Sequence, residues 1–138
     1  MATMRFTRAE DQLTDANVHS RGGLVDPSPL AGTWFNTDKK TRGIARLDLT
    51  QNNGVLKVHA FGACEPAPCD WGEVQGSTFS SGVESSEGMA FTALFDFGFM
   101  ETFLAVYLKG GILVLDSFNT FRDDSGRADY FSREFFHS

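Results

Sequence analysis

Long apolar runs are missing from this 138-residue chain. No stretch of about 18 apolar residues occurs, which excludes a membrane-spanning helix. Met1 to Glu10 carries charges where a secretory leader needs an apolar centre, so the expected compartment is the cytoplasm. Clusters of lysine and arginine are also missing. With 12 basic against 18 acidic residues and a net charge of −6, no nucleic-acid partner is expected, because phosphate neutralisation needs a basic patch. Gly22-Gly23 and Gly110-Gly111 lack the flanking pattern of a phosphate-binding loop, so no nucleotide cofactor is expected. No Gly-x-Ser-x-Gly elbow supports a serine nucleophile. Histidine is scarce, with His19 in the N-terminal stretch, His59 in an apolar run and His137 at the end.

Cysteine is limited to two residues, in Cys64-Glu65-Pro66-Ala67-Pro68-Cys69. A zinc site needs further ligands, and only His59 and Asp70 are near, so no metal is expected. The thiols are either reduced in the cytosol or closed as a small clip.

Phenylalanine is abundant: there are 14, against 2 tyrosines. Such a chain carries much aromatic surface with few hydroxyls to satisfy. It suffices for one domain whose core buries roughly two-thirds of the unfolded surface. Residues 1–29 show no clear period and end in Asp26-Pro27-Ser28-Pro29, which reads as an N-terminal arm or a lid over one barrel mouth. Residues 30–138 form the barrel domain. Short β-branched and aromatic runs predict strands at 32–36, 43–50, 55–61, 71–79, 89–97, 99–108, 112–121 and 127–136. Asn52-Asn53-Gly54, Lys109-Gly110-Gly111 and Asp123-Asp124-Ser125-Gly126 supply hairpin turn chemistry. Loops this short force antiparallel neighbours. The predicted fold is therefore all-β, a single closed antiparallel up-and-down barrel of about eight strands, with a two-sheet sandwich as the alternative.

Alternation separates Lys57, His59 and Phe61 from Leu56, Val58 and Ala60. Residues 99–108 are largely apolar on both faces, leaving one face for the lumen and the other for the arm or a partner subunit, as in a homodimer. His59 is a candidate general acid or base, tuned by Glu101 or Asp116 from other strands, or else a surface histidine beside Lys57. Glu101, Asp116 and Asp96 interrupt apolar runs. They are proton donors if buried and ordinary surface carboxylates if not. Trp71 belongs to a rim, as an entrance wall or a loop anchor. Tyr107 and Tyr130 are the only phenols available to a ligand carbonyl. Phe61, Trp71, Met89, Phe91 and Tyr130 are the expected substrate-shaping residues, with His59, Glu101 and Tyr107 as catalytic candidates.

Leu30-Ala31-Gly32-Thr33-Trp34 resembles the Gly-x-Trp signature of the calycins, the lipocalin and streptavidin-like barrels. The resemblance implies structural roles for Trp34 and for Arg133, whose guanidinium would stack on the indole, a contact worth about 1–2 kcal/mol when shielded. A chain of this length, with an arm and a Phe-rich barrel, also resembles the small bacterial β-barrel polyketide cyclases, among them Diels–Alderase and cycloaddition enzymes. That resemblance implies a cofactor-free cyclase that closes a ring in an apolar polyene by holding the reacting carbons together. The alternative function is a non-catalytic carrier of a small apolar molecule in the same cavity. A solid barrel used for protein contacts is the third reading.

Overall fold

The computed structural model describes residues 6–12 and 24–138. Eight strands close one antiparallel barrel in chain order: β1 (Gly32–Asn36), β2 (Ile44–Asn52), β3 (Val55–Gly62), β4 (Cys69–Phe79), β5 (Ala90–Asp96), β6 (Met100–Lys109), β7 (Ile112–Phe121) and β8 (Tyr130–His137). The barrel closes where Phe35 and Asn36 of β1 pair with His137 and Phe136 of β8. Closure removes the exposed sheet edges and settles the choice against the sandwich. No helix among the described residues is long and apolar enough to cross a membrane.

The turns form where the sequence allows positive φ. Asn53 and Gly54 have φ of 54° and 78°, and Gly110 and Gly111 have 61° and 80°. These angles match the twist of the flanking strands. Some ends shift from expectation. β4 begins at Cys69 and β8 only at Tyr130, while Met89, Phe97 and Phe99 fall outside strands.

Register decides which side chains enter the barrel. Leu49, Val58 and Val74 lie opposite one another across β2, β3 and β4 on the inner face, and Phe91, Val106 and Leu115 do the same across β5, β6 and β7. The interior has two halves. One is packed solid by Leu47, Leu49, Leu56, Val58, Phe91 and Leu104, all essentially without solvent contact. The turn Ser28–Leu30 closes that end: Leu30 is fully buried, and its carbonyl accepts the Trp34 indole N–H at 3.0 Å. Asp26 bridges Glu87, and the Gly88 N–H donates to the Asp26 carbonyl at 2.8 Å. This last part of the expected arm is therefore packed against the barrel. It sits at the closed end rather than over the open mouth. Residues 1–5 and 13–23, including His19, lie outside the described residues.

The expected Trp34–Arg133 stack is not formed. Arg133 lies on the outer wall, where its Nε and an Nη reach the two oxygens of Asp116 at 2.6 and 2.9 Å. Its register partner on β7 is Asp116, on the outer face, whereas Trp34 is buried in the interior, so the two side chains lie on opposite faces of the barrel wall.

Candidate functional site

The second half of the barrel is hollow. At the mouth formed by the ends of β1, β3, β5 and β7 lies a cup of about 890 Å³. Its apolar wall is built around Trp71, whose ring meets Phe95 at 5.7 Å and Phe97 at 5.2 Å, both edge-on. Gly62 lets the indole lie flush against β3, since a methyl there would sit 2.5 Å from Trp71 Nε1. Tyr130 stands at the rim.

The opposite wall is polar. Thr102 Oγ1 donates to Asn119 Oδ1 at 2.7 Å, and Asn119 Nδ2 donates to Ser117 Oγ at 3.2 Å. Ser117 and Ser132 hydroxyls share a 2.6 Å hydrogen bond. Beside them, the Glu134 carboxylate accepts from Asn36 Nδ2 at 2.6 Å and from the Thr41 hydroxyl. Gly43 packs directly against this carboxylate, so a Cβ there would push the Glu134 side chain out of its place.

This polar wall has a sequence signature that alternation alone did not expose. Along the inward face of β7 the residues run Leu113, Leu115, Ser117, Asn119. On β8 they run Phe136, Glu134, Ser132, and on β6 Leu104 gives way to Thr102. All three strands turn from apolar to polar towards the open mouth, in steps, with Ser117 opposite Leu104 and Glu134 opposite Leu115, and this border marks where packing stops and the cup begins.

Of the residues expected to form the site, Trp71 and Tyr130 line the cup. Phe91 belongs to the packed half, and Met89 lies at the closed end, accepting the Leu108 N–H at 2.7 Å. The three catalytic candidates are not brought together, and none enters the cup. His59 faces outward, its Nε2 2.6 Å from Asp70 and its ring stacked on Phe61 at 4.4 Å, with the Arg46 guanidinium 4.0 Å over the same Phe61. Phe61 is thus the middle of an outer stack rather than a cup wall. Asp70 is held below the usual carboxylate range, first by the Gly72 N–H and then by His59. Glu101 pairs across the outer face with Asp96, and Arg122 bridges the two. Tyr107 faces outward opposite Val114. The physical reason is one of parity: these three residues alternate with the buried Leu104, Val106 and Val58, so they must point out.

Asp116 is also outward, and its hydrogen bonds from Arg133 hold its pKa below the ordinary value. A depressed folded pKa stabilises the fold fully above the unfolded carboxylate value of about 4 and loses that contribution as pH falls through the folded value. We therefore expect Asp116→Asn to flatten the acid limb of the stability profile below about pH 4, measured by urea unfolding followed by circular dichroism. An unchanged acid limb would show that the pair contributes nothing to the pH dependence.

Cys64 and Cys69 are joined as a disulfide at a Cα separation of 5.4 Å, closing the loop that delivers Trp71 to the mouth. Of the two states expected for these thiols, the closed clip is the one formed here, and such a bond persists in oxidising compartments. Among the described residues, no group of three or more His, Cys, Asp or Glu side chains is arranged to hold a metal ion. Compared with known proteins, the chain matches no family model, no curated protein and no solved structure. The closed eight-stranded antiparallel barrel is consistent with a calycin-like fold.

Proposed function

We propose that the barrel is a receptor for one small, largely apolar molecule that carries a hydrogen-bonding group. The observation that supports this reading is the cup itself. Its 890 Å³ falls within the range of small-molecule sites, with an aromatic wall for the apolar body and a few convergent polar groups opposite. Trp71 supplies flat apolar area. Asn119, Ser117 and Ser132 offer an amide and hydroxyls to a ligand carbonyl or hydroxyl. The test is titration with the neutral fluorophore N-phenyl-1-naphthylamine. A saturable fluorescence rise that disappears in a cup-filling Ser132→Trp variant is expected. No rise, or a rise untouched by Ser132→Trp, would overturn the reading.

One observation favours catalysis in the same cup. A carrier of apolar molecules does not need a carboxylate in its cavity, and Glu134 supplies one among the lining residues. In this second reading the cup folds a polyene so that its reacting carbons meet, and Glu134 takes the polar role that His59 and Glu101 cannot fill from the outer wall. Glu134→Gln is then expected to leave probe affinity within about twofold while lowering turnover of a linear polyene about a hundredfold. Equal turnover in both proteins would remove Glu134 from the chemistry.

A further inference from the structure

The outer wall of β5 to β8 carries a second feature that the cup does not use. Leu94, Phe103, Phe118 and Phe131 are direct register partners across the four strands, so they form one continuous row. Their rings meet at 6.4 Å between Phe103 and Phe118 and at 5.2 Å between Phe118 and Phe131. Each is 40–52% exposed. The next row is Thr92, Ala105, Asp116 and Arg133, and the one beyond is Ala90, Tyr107, Val114 and Phe135. Within these three rows the only charges are Asp116 and Arg133, which neutralise each other at 2.6 Å.

Single exposed apolar residues are ordinary, but a contiguous apolar face is not. A phenylalanine offers about 200 Å² of surface, so Leu94, Phe103, Phe118, Phe131 and Phe135 leave about 450 Å² in water, more than half of the roughly 800 Å² per partner in a standard interface. The tyrosine, the alanines and the ion pair make up much of the rest.

We infer that this face docks a second copy of the chain. Two chains of net charge −6 repel each other over most of their surface, and the neutral face is where they can approach. The face is also self-complementary. A two-fold axis along the strands between β7 and β8 sets Asp116 opposite the partner's Arg133 and Arg133 opposite the partner's Asp116. The same axis sets Phe118 against the partner's Phe131. The ion pair that each chain makes alone becomes a four-membered alternating set in the dimer, and the isologous contact closes without leaving a free edge. A different partner would have to supply its own matched acid and base at that spacing.

Sedimentation velocity on the full chain at micromolar concentration tests this. The expected particle has twice the 15.2 kDa mass of one chain. Phe118→Asp, folded by circular dichroism, is expected to raise the dimer Kd at least about a hundredfold, as for a central interface residue. Thr50→Asp on the far wall adds the same charge and is expected to leave the dimer intact. The sharper arm mixes two single variants. Asp116→Arg and Arg133→Asp should each be monomeric alone, and an equimolar mixture should restore a heterodimer, because each supplies the charges the other has lost. A wild-type monomer, a dimer indifferent to Phe118→Asp, a mixture that stays monomeric, or a monomer that instead floats with lipid vesicles would overturn the inference.

Discussion

Phe91→Ala is expected to cost about 3–5 kcal/mol of folding free energy, while Phe97→Ala costs about 1–2 kcal/mol, although both delete the same atoms. Phe91 is 1% exposed and sits in the half of the barrel where side chains from every strand interlock. Removing its ring leaves a sealed cavity whose walls are β-strands tied on both sides, so the surroundings cannot collapse to fill it. Phe97 only borders the packed cluster and faces the cup, so truncation widens an opening that already exists. Urea unfolding with a shared m-value, or the difference in Tm, measures both. For a chain of this size the first variant should lose roughly 10–20 °C and the second only a few degrees. Equal losses would mean that the interior is not divided into a packed half and a hollow one. The same pair of variants separates stability from ligand handling, since only Phe97→Ala alters the wall on which Trp71 rests.

The barrel was legible in the sequence because its turns are local. Asn53-Gly54 and Gly110-Gly111 adopt positive φ with little cost, and each pins two neighbouring strands antiparallel before any long-range contact is considered. Parity was only half legible where the two faces differ in polarity: alternation divides β3 into two faces, but its polar face reads as a cavity wall carrying His59 and Phe61 as readily as a solvent face. In β3 the run Leu56, Val58, Ala60 goes in, and Lys57, His59, Phe61 goes out. It was not legible in β6, where Leu104 and Val106 alternate with Phe103, Ala105 and Tyr107. Both faces there are apolar, so hydrophobicity carries no contrast. That is why Glu101 and Tyr107 were attractive as lumenal groups and are outer-wall residues. The same lack of contrast is the outer aromatic row itself: a strand that looks buried on two sides has its second apolar face on the surface. The Gly-x-Trp segment predicted that Trp34 would be structural, and it is buried at the closed end. Its partner is the Leu30 carbonyl, supplied by a turn only four residues upstream, and no pattern in β8 distinguishes an arginine that reaches a tryptophan from one that reaches Asp116.

Asn119→Leu is expected to damage both stability and recognition, and to separate them by ligand type. Asn119 is almost completely buried at the border between packed core and cup. Its amide oxygen accepts from Thr102, and its nitrogen donates to Ser117 at 3.2 Å and to the Tyr130 carbonyl at 3.4 Å. Leucine matches the shape and supplies none of these bonds. The Thr102 hydroxyl then has no acceptor in a site with little solvent, and a buried donor left without a partner costs about 1–3 kcal/mol. That loss should appear as a lower urea midpoint with an unchanged m-value. For ligands the direction depends on chemistry. A molecule whose hydroxyl donates to the amide oxygen should bind about 10-fold more weakly, in line with the loss of one well-placed hydrogen bond. A pure hydrocarbon of the same shape should bind as well as before or slightly better, because the wall it meets has become apolar. Calorimetric titration with one ligand of each kind decides the matter. If both lose affinity equally, the polar wall acts only as scaffold for the Trp71 side, and if neither changes, ligands do not reach the level of Asn119 in the cup.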